Sequence, residues 1–147
     1  QLLREEDVMK IVIPSKGRAS LQQQVTLRNF IRFKSARRPT IVVPFGEKKR
    51  YDFNVGSAHA DIVETPEDVR GISGTRSWIL QSDWGDPHVL MIDDDMDFSY
   101  RPDMSKVQLV PVDQSTFETM LQQLEHWLKI GFVHVGVSAR QGNNTQF

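Results

Sequence analysis

Short apolar runs alternate with longer amphipathic stretches along the whole chain. The runs are rich in β-branched residues and predict strands at residues 10–14, 39–45, 60–66, 88–93 and 132–139, with a short additional strand at 97–101. Helices are predicted between them at residues 20–33, 71–84 and 115–130, with a short polar helix or loop near 47–52. Strands that alternate with helices and are apolar almost throughout predict an α/β domain with a largely parallel sheet.

Serine residues mark the expected starts of the three longer helices. Ser20 with Gln23, and Ser115 with Glu118, have the spacing of capping boxes, and Ser73 is a candidate N-cap. The expected buried faces follow as Leu21, Val25, Leu27, Phe30 and Ile31, then Trp78, Ile79 and Leu80, then Phe117, Met120, Leu121, Leu124, Trp127 and Leu128.

The composition sets limits on the class of protein. The 147 residues predict one domain, 1–147, and the absence of cysteine excludes disulfides, thiolate metal sites and cysteine nucleophiles. No apolar run approaches the roughly 20 residues of a membrane span, and residues 1–10 lack the apolar stretch of a signal peptide. We therefore expect a cytoplasmic protein without a membrane partner, and the start at Gln1 suggests a fragment or a processed chain.

Charge is segregated along the chain although the net charge is only -1. Residues 10–50 contain eleven Lys or Arg and one acid, whereas residues 51–103 contain twelve acids and three arginines. Solvated surfaces would explain this pattern, and so would a site that holds phosphates on one side and a divalent cation on the other.

The stretch "HVLMIDDDMDFSY", residues 88–100, takes an apolar strand directly into three aspartates. If the strand continued, Asp93 and Asp95 would lie on one face and Asp94 on the other. Two carboxylates so close repel each other unless one is protonated or a cation such as Mg²⁺ or Mn²⁺ binds between them. We expect a metal site here, and a solvated turn is the alternative.

A basic loop, Ser15 to Arg18, follows the first strand and precedes a helix. Small residues allow close approach of a ligand, and Lys16 and Arg18 can meet phosphate charge. The loop lacks the spacing of a Walker motif, and a solvated polar loop is the alternative. Because ligands bind beyond the carboxyl ends of such strands, the loops after Ile13, Val63 and Ile92 should converge on one crevice.

The three motifs "IVIPSKGRA", "GISGTRSWIL" and "VLMIDDDMDFSYR", in this order, resemble the nucleotide-sugar-binding half of a GT-A glycosyltransferase. More narrowly, the chain is similar to the TET-associated glycosyltransferases of phages and prokaryotes, which are thought to add sugars to hydroxymethylated pyrimidines in DNA. The resemblance implies a GT-A-like sheet flanked by helices, with a donor part at residues 10–101 and a truncated acceptor part at residues 102–147.

The resemblance also implies a role for individual residues. Contacts to the nucleoside fall on Pro14, Ser15, Lys16 and Arg18. Contacts to the base fall on Glu64 and Thr65, and contacts to the ribose and sugar fall on Gly74, Thr75 and Arg76. Asp93 and Asp95 are the implied ligands of Mn²⁺ or Mg²⁺ and the diphosphate, with Asp94 as a ribose or sugar contact.

We expect Asp95 and Asp97 to be the catalytic residues. The favoured donor is a UDP-sugar, and the expected acceptor is a hydroxyl group of modified DNA. The general base is left open: it is absent, or is Asp97 or Asp103, or the mechanism is retaining and needs none. Arg140 and Asn143 are candidates at the start of an acceptor region.

Two other functions stay open at this point: a nucleotidyltransferase, and a nucleotide-sugar-binding domain without turnover. A basic stretch is a candidate contact for a nucleic acid or else a solvated helix face, and it consists of Arg28, Arg32, Lys34, Arg37 and Arg38. The sequence does not predict an oligomeric state.

Overall fold

The computed structural model describes residues 9–138. The chain divides into two compact units between Met96 and Asp97. The first unit contains a four-stranded parallel sheet, and the second contains a short hairpin and one long helix.

Four strands of the first unit form the sheet, and all three of their pairings are parallel. They are β1 (Lys10–Pro14), β2 (Thr40–Val43), β3 (Asp61–Glu64) and β4 (Val89–Met91), in the spatial order β3-β2-β1-β4. The chain therefore moves outward from β1 to β3 and then returns to the other side of β1. This reversal makes the gap between β1 and β4 the switch point of the sheet, where α/β proteins commonly bind ligands.

Helices pack against both faces of the sheet, as the near-continuous apolar strands predict. The helices are α1 (Val25–Arg32), α2 (Lys48–Asn54) and α3 (Gly71–Gln81). Ile13, Ile41 and Val43 form one buried cluster with Leu27 of α1 and Tyr51 of α2. On the opposite face, Val12 and Val42 pack with Ile79 of α3 and with Trp78. The predicted α/β fold with a parallel sheet flanked by helices is confirmed.

Two helix starts in the first unit differ from the predicted ones. Ser20 Oγ accepts the Gln23 N–H, as in a capping box, and donates to Gln23 Oε1, but these bonds close a turn that precedes α1, whose N-cap is Gln24. Helix α3 begins at Gly71 after Arg70, two residues before Ser73. Leu21 and Leu80, predicted to be buried, are exposed, because Leu21 lies in the turn before α1 and Leu80 lies on the solvent side of α3.

The second unit begins at Asp97 and contains three elements. Strand β5 (Ser99–Tyr100) pairs antiparallel with β6 (Val110–Pro111), a strand that the sequence analysis did not predict. Helix α4 (Gln114–Lys129) begins one residue earlier than predicted, because Asp113 and Thr116, not Ser115 and Glu118, form its capping box. Asp113 accepts the Thr116 N–H at 2.8 Å, which holds the pKa of that carboxyl below its ordinary value. Phe98 packs against Phe117 at 5.7 Å between ring centroids.

The predicted last strand, residues 132–139, is wrong over its described part. Residues 132–138 contain no strand, and most of them are exposed. An apolar, β-branched run favours a strand only if another strand accepts its backbone hydrogen bonds, and no such pairing involves the described residues of this run. Arg140 and Asn143 lie outside the described residues. Within 9–138, no helix is both long and apolar enough to cross a membrane.

Candidate functional site

A crevice of about 520 Å³ opens at the carboxyl ends of the parallel strands in the first unit. The loops after all four strands contribute to its lining, so the predicted convergence of the loops after Ile13, Val63 and Ile92 is confirmed. The lining residues predicted from sequence are Pro14, Ser15, Lys16, Arg18, Thr75, Arg76, Asp93, Asp94 and Asp95. The switch-point position explains why these distant parts of the sequence meet.

The aspartates belong to a turn, residues 93–96, that we call the aspartate turn. We expected strand alternation to place Asp93 and Asp95 on one face. Strand β4 ends at Met91, however, so both residues lie beyond the strand and its alternation does not apply to them. Helix α1 holds the turn instead: the Thr26 hydroxyl donates to the Asp93 carbonyl oxygen and accepts the Met96 N–H. Asn29 Nδ2 donates to the Met96 carbonyl oxygen at 3.0 Å. The backbone of the turn is thereby fixed to a buried helix face.

Asp94 is the buried member of the three aspartates and binds the loop after β1. Its Oδ2 accepts the Ser15 hydroxyl at 2.6 Å, and its Oδ1 accepts Arg18 Nη1 at 2.5 Å. The charge of Asp94 raises the pKa of the Arg18 guanidinium further above its ordinary value. Both carboxylate oxygens of Asp94 are therefore engaged within the protein.

A buried hydrogen-bond network fixes the Ser15 side chain. Ser15 Oγ gives its one proton to Asp94 and accepts Gln24 Nε2 at 2.9 Å, so the Tyr51 hydroxyl, also at 2.9 Å, donates to Ser15. The same Tyr51 oxygen accepts the Arg18 backbone N–H at 3.1 Å. Burial raises the pKa of the Tyr51 phenol, which keeps this donor protonated. The network orients Ser15, Arg18 and Asp94 relative to one another.

Asp93 and Asp95 differ from Asp94 because about half of each side chain is exposed to solvent. Asp93 Oδ1 accepts Arg76 Nη2 of α3 at 2.9 Å, and Asp95 Oδ2 lies 3.4 Å from Arg18 Nη1. Two arginines from separate elements thus offset two of the three negative charges of the aspartate turn. Such exposed ion pairs are individually weak and can be exchanged for other charged partners.

These residues fit the divalent cation that the resemblance implies. Asp93 Oδ2 and Asp95 Oδ1 have no hydrogen-bond partner among the described residues, and both side chains line the crevice. Over residues 9–138, no group of three or more His, Asp or Glu side chains is placed to hold a metal. Two protein carboxylates suit Mg²⁺, which usually completes its shell with waters and substrate phosphates.

Several predicted residues do not line the crevice. Glu64 Oε2 accepts the Lys48 N–H at 3.3 Å, and Thr65 is buried behind the end of β3. Gly74 faces Val69 on the inner side of α3. Strand β3 is the strand farthest from β4, which explains why its last residue lies away from the aspartate turn. Asp97 is the first residue of the second unit, and its catalytic role stays a prediction.

The crevice also contains residues that the sequence analysis did not select. They are Pro44, Phe45, Glu67, Val69, Arg70, Gly71 and Ile72. Phe45 could have been found, because an aromatic residue just beyond the carboxyl end of a buried parallel strand is directed towards the ligand-binding edge. Gly71 and Ile72 begin the motif "GISGTRSWIL", whereas residues 67–70 have no comparable signal in the sequence.

Much of the basic stretch is used within the protein. Arg38 donates to Asp61 Oδ1 at 3.0 Å and to three backbone carbonyl oxygens between Ser57 and Ala60, and Arg37 is buried. Arg32 donates to Asn29 Oδ1 and covers the Phe33 ring. Arg28 and Lys34 are exposed. Structural roles therefore account for three of the five cations.

The fold is a Rossmann-like α/β fold with a charged crevice at the switch point of its parallel sheet. Residues 9–146 match the family model described as TET-Associated Glycosyltransferase. The chain belongs to this family, which confirms the resemblance seen in the three motifs. It is a glycosyltransferase, and this activity requires a nucleotide-sugar donor. No curated protein and no solved structure gives a significant match to the chain.

Proposed function

We propose that the crevice binds a nucleotide-diphosphate sugar together with Mn²⁺ or Mg²⁺, with UDP-sugar as the favoured donor. The observation that supports this most strongly is the lining itself. Lys16, Arg18 and Arg76 stand beside three aspartates at the switch point of a parallel sheet. A diphosphate needs cationic side chains, a divalent cation needs carboxylates, and a metal-bound nucleotide needs both.

Asp93 and Asp95 are the residues that would hold the cation in this proposal. When bound, the cation supplies positive charge to the departing diphosphate. Asp94 has a different role, because its oxygens already bind Ser15 and Arg18. It orients Arg18 towards the crevice, and the contact to ribose or sugar that the resemblance implies for Asp94 would require these bonds to be shared or exchanged.

In the proposed reaction, the oxygen of the acceptor hydroxyl forms a bond to the anomeric carbon of the sugar. The bond from that carbon to the diphosphate breaks, and the nucleoside diphosphate leaves with the bonding electrons. Lys16, Arg18 and Arg76 stabilise its negative charge. The acceptor proton passes to a base, for which Asp97 and Asp103 are the candidates in this chain. A hydroxymethylpyrimidine in DNA is the proposed acceptor.

Calorimetric titration tests the donor site. UDP, GDP and a series of UDP-sugars are titrated into the protein with Mn²⁺ and with EDTA. We expect micromolar binding of one nucleotide only when Mn²⁺ is present. Binding of none of them, with and without metal, would contradict the proposed donor site.

A second assay tests the acceptor. The protein is incubated with the donor that binds and with duplex DNA containing hydroxymethylcytosine. The DNA is then digested, and the masses of its nucleosides are measured by mass spectrometry. We expect a mass increase of one sugar on the modified base. Unmodified DNA of the same sequence is the control, and equal transfer to both, or transfer to neither, would refute this acceptor.

A further inference from the structure

The crevice has an apolar part as well as a charged part. Pro44, Phe45, Val69 and Ile72 line it together with the arginines and aspartates. The Phe45 side chain is 55% exposed and the Ile72 side chain is 57% exposed. Large apolar side chains that stay exposed inside a polar crevice suggest a ligand with an apolar surface. Neither the metal nor the diphosphate of the proposed donor has such a surface.

Sheet topology separates the two parts. Phe45 follows β2 and the aspartate turn follows β4, and these strands lie on opposite sides of β1. Neighbouring strands are about 4.8 Å apart, so the two strand ends are separated by about 10 Å. Lys16 and Arg18, in the loop after β1, lie between them in strand order. Along the strand ends the lining thus changes from apolar after β2 to cationic after β1 and acidic after β4, while Glu67 and Arg70 flank Val69.

The residues of helix α3 show the same change from a charged part of the crevice to an apolar part. Arg76 binds Asp93, which places this turn of the helix at the acidic part of the crevice. Ile72 precedes Arg76 by four residues, so it lies on the same helix face and about 6 Å nearer the helix N-terminus. Val69 continues this direction beyond the helix start. The helix and the sheet edge therefore both lead from the aspartate turn towards an apolar part.

We propose that Phe45, with Val69 and Ile72 beside it, is the platform on which the nucleobase of the donor stacks. This inference rests on the proposed function of the crevice. A nucleoside diphosphate has the same sequence of properties as the lining: a flat base with apolar faces, a ribose, and a charged diphosphate that binds the metal. The contact to the base was predicted at Glu64 and Thr65, which do not line the crevice. The proposal assigns it to Phe45, Val69 and Ile72, which do.

The test compares two ligands on one variant. Phe45→Ala is titrated with the nucleoside diphosphate that wild type binds, UDP or GDP, and separately with pyrophosphate, both in the presence of Mg²⁺. Stacking of a base on an aromatic ring is lost in the variant, so nucleotide affinity should fall about tenfold or more. Pyrophosphate has no base, and its affinity should stay within twofold of wild type. Phe45→Trp should retain the nucleotide affinity.

Phe53→Ala is the matched control, because Phe53 is also a phenylalanine beyond β2, is 88% exposed, and does not line the crevice. It should bind both ligands as wild type does. Unchanged nucleotide affinity in Phe45→Ala, or an equal loss of affinity for nucleotide and pyrophosphate, would refute the proposal that the base stacks on Phe45. A wild-type protein that binds pyrophosphate and nucleotide equally well would also overturn it. Failure of wild type to bind any nucleotide would refute the proposed function itself.

Discussion

Asp94 and its two neighbours have the same chemistry and opposite surroundings. Asp94 is buried, and both of its oxygens bind the loop after β1. Asp93 and Asp95 are half exposed, and within residues 9–138 each pairs with an arginine through one oxygen atom. The turn therefore has an inner carboxylate that fixes the site and two outer carboxylates that can take a new partner. Three identical residues in a row thus need not share one function.

Asp94→Ala should have the largest effect, because it acts on both the fold and the site. Removal of the carboxylate leaves the buried Ser15 hydroxyl without its acceptor and frees Arg18, so we expect a loss of about 2 kcal/mol in the free energy of unfolding. Metal-dependent nucleotide binding should be lost as well. Urea denaturation and calorimetry measure the two effects. Wild-type stability in this variant would show that the inner carboxylate is not structural.

Asp93→Ala and Asp95→Ala should abolish function without affecting the fold. Each removes one proposed ligand of the cation, and we expect Mn²⁺-dependent UDP affinity to fall by about 100-fold or more. Because both side chains are half exposed, the free energy of unfolding should change by less than about 0.5 kcal/mol. Asp52→Ala is the matched control, since Asp52 is an exposed aspartate paired with Lys48 at 2.6 Å outside the crevice. Retained Mn²⁺-dependent binding in both variants would refute the metal assignment.

Arg76→Gln should have a smaller effect and should separate the metal from the nucleotide. The variant loses a cation that faces the diphosphate, so UDP affinity should fall about tenfold. It also removes the arginine that competes for Asp93, so binding of Mn²⁺ alone should not weaken. Isothermal titration with each ligand measures the two affinities. Arg28→Gln, an exposed substitution on α1, should change neither. A parallel loss of both affinities would mean that Arg76 supports the metal site.

Tyr51→Phe should have the smallest effect and should depend on pH. Loss of the hydroxyl removes a donor to Ser15, at a cost of about 1 kcal/mol in the free energy of unfolding. The folded state raises the pKa of Tyr51. Its contribution is therefore full below the unfolded pKa of about 10 and decreases as the pH rises towards the folded value.

The chain has two tyrosines, so Tyr100→Phe leaves Tyr51 as the only titrating phenol. Burial raises the pKa of Tyr51, so absorbance at the phenolate band should then show ionisation above the ordinary phenol value of about 10. Ionisation of this variant at the ordinary phenol value would contradict the buried network around Ser15.

The sequence by itself determined the class of fold and the position of the site. Apolar runs such as "KIVIP" predict parallel strands because a strand covered on both faces needs apolar residues throughout. Polar residues directly after them, such as Lys16, Arg18 and Asp93, mark the binding edge because the carboxyl ends of parallel strands lie together. The three motifs predicted the family, which the family model confirms.

Only the tertiary structure decided which residues within those motifs have a structural role and which line the crevice. Strand periodicity predicted that Asp93 and Asp95 lie together opposite Asp94, but the strand ends at Met91 and hydrogen bonds from Thr26 and Asn29 set the turn. The last apolar run, residues 132–138, forms no strand because pairing depends on a neighbour that a local pattern does not specify. The apolar lining at Phe45 lies beside the cationic loop because strand order, which depends on long-range packing, places β2 beside β1.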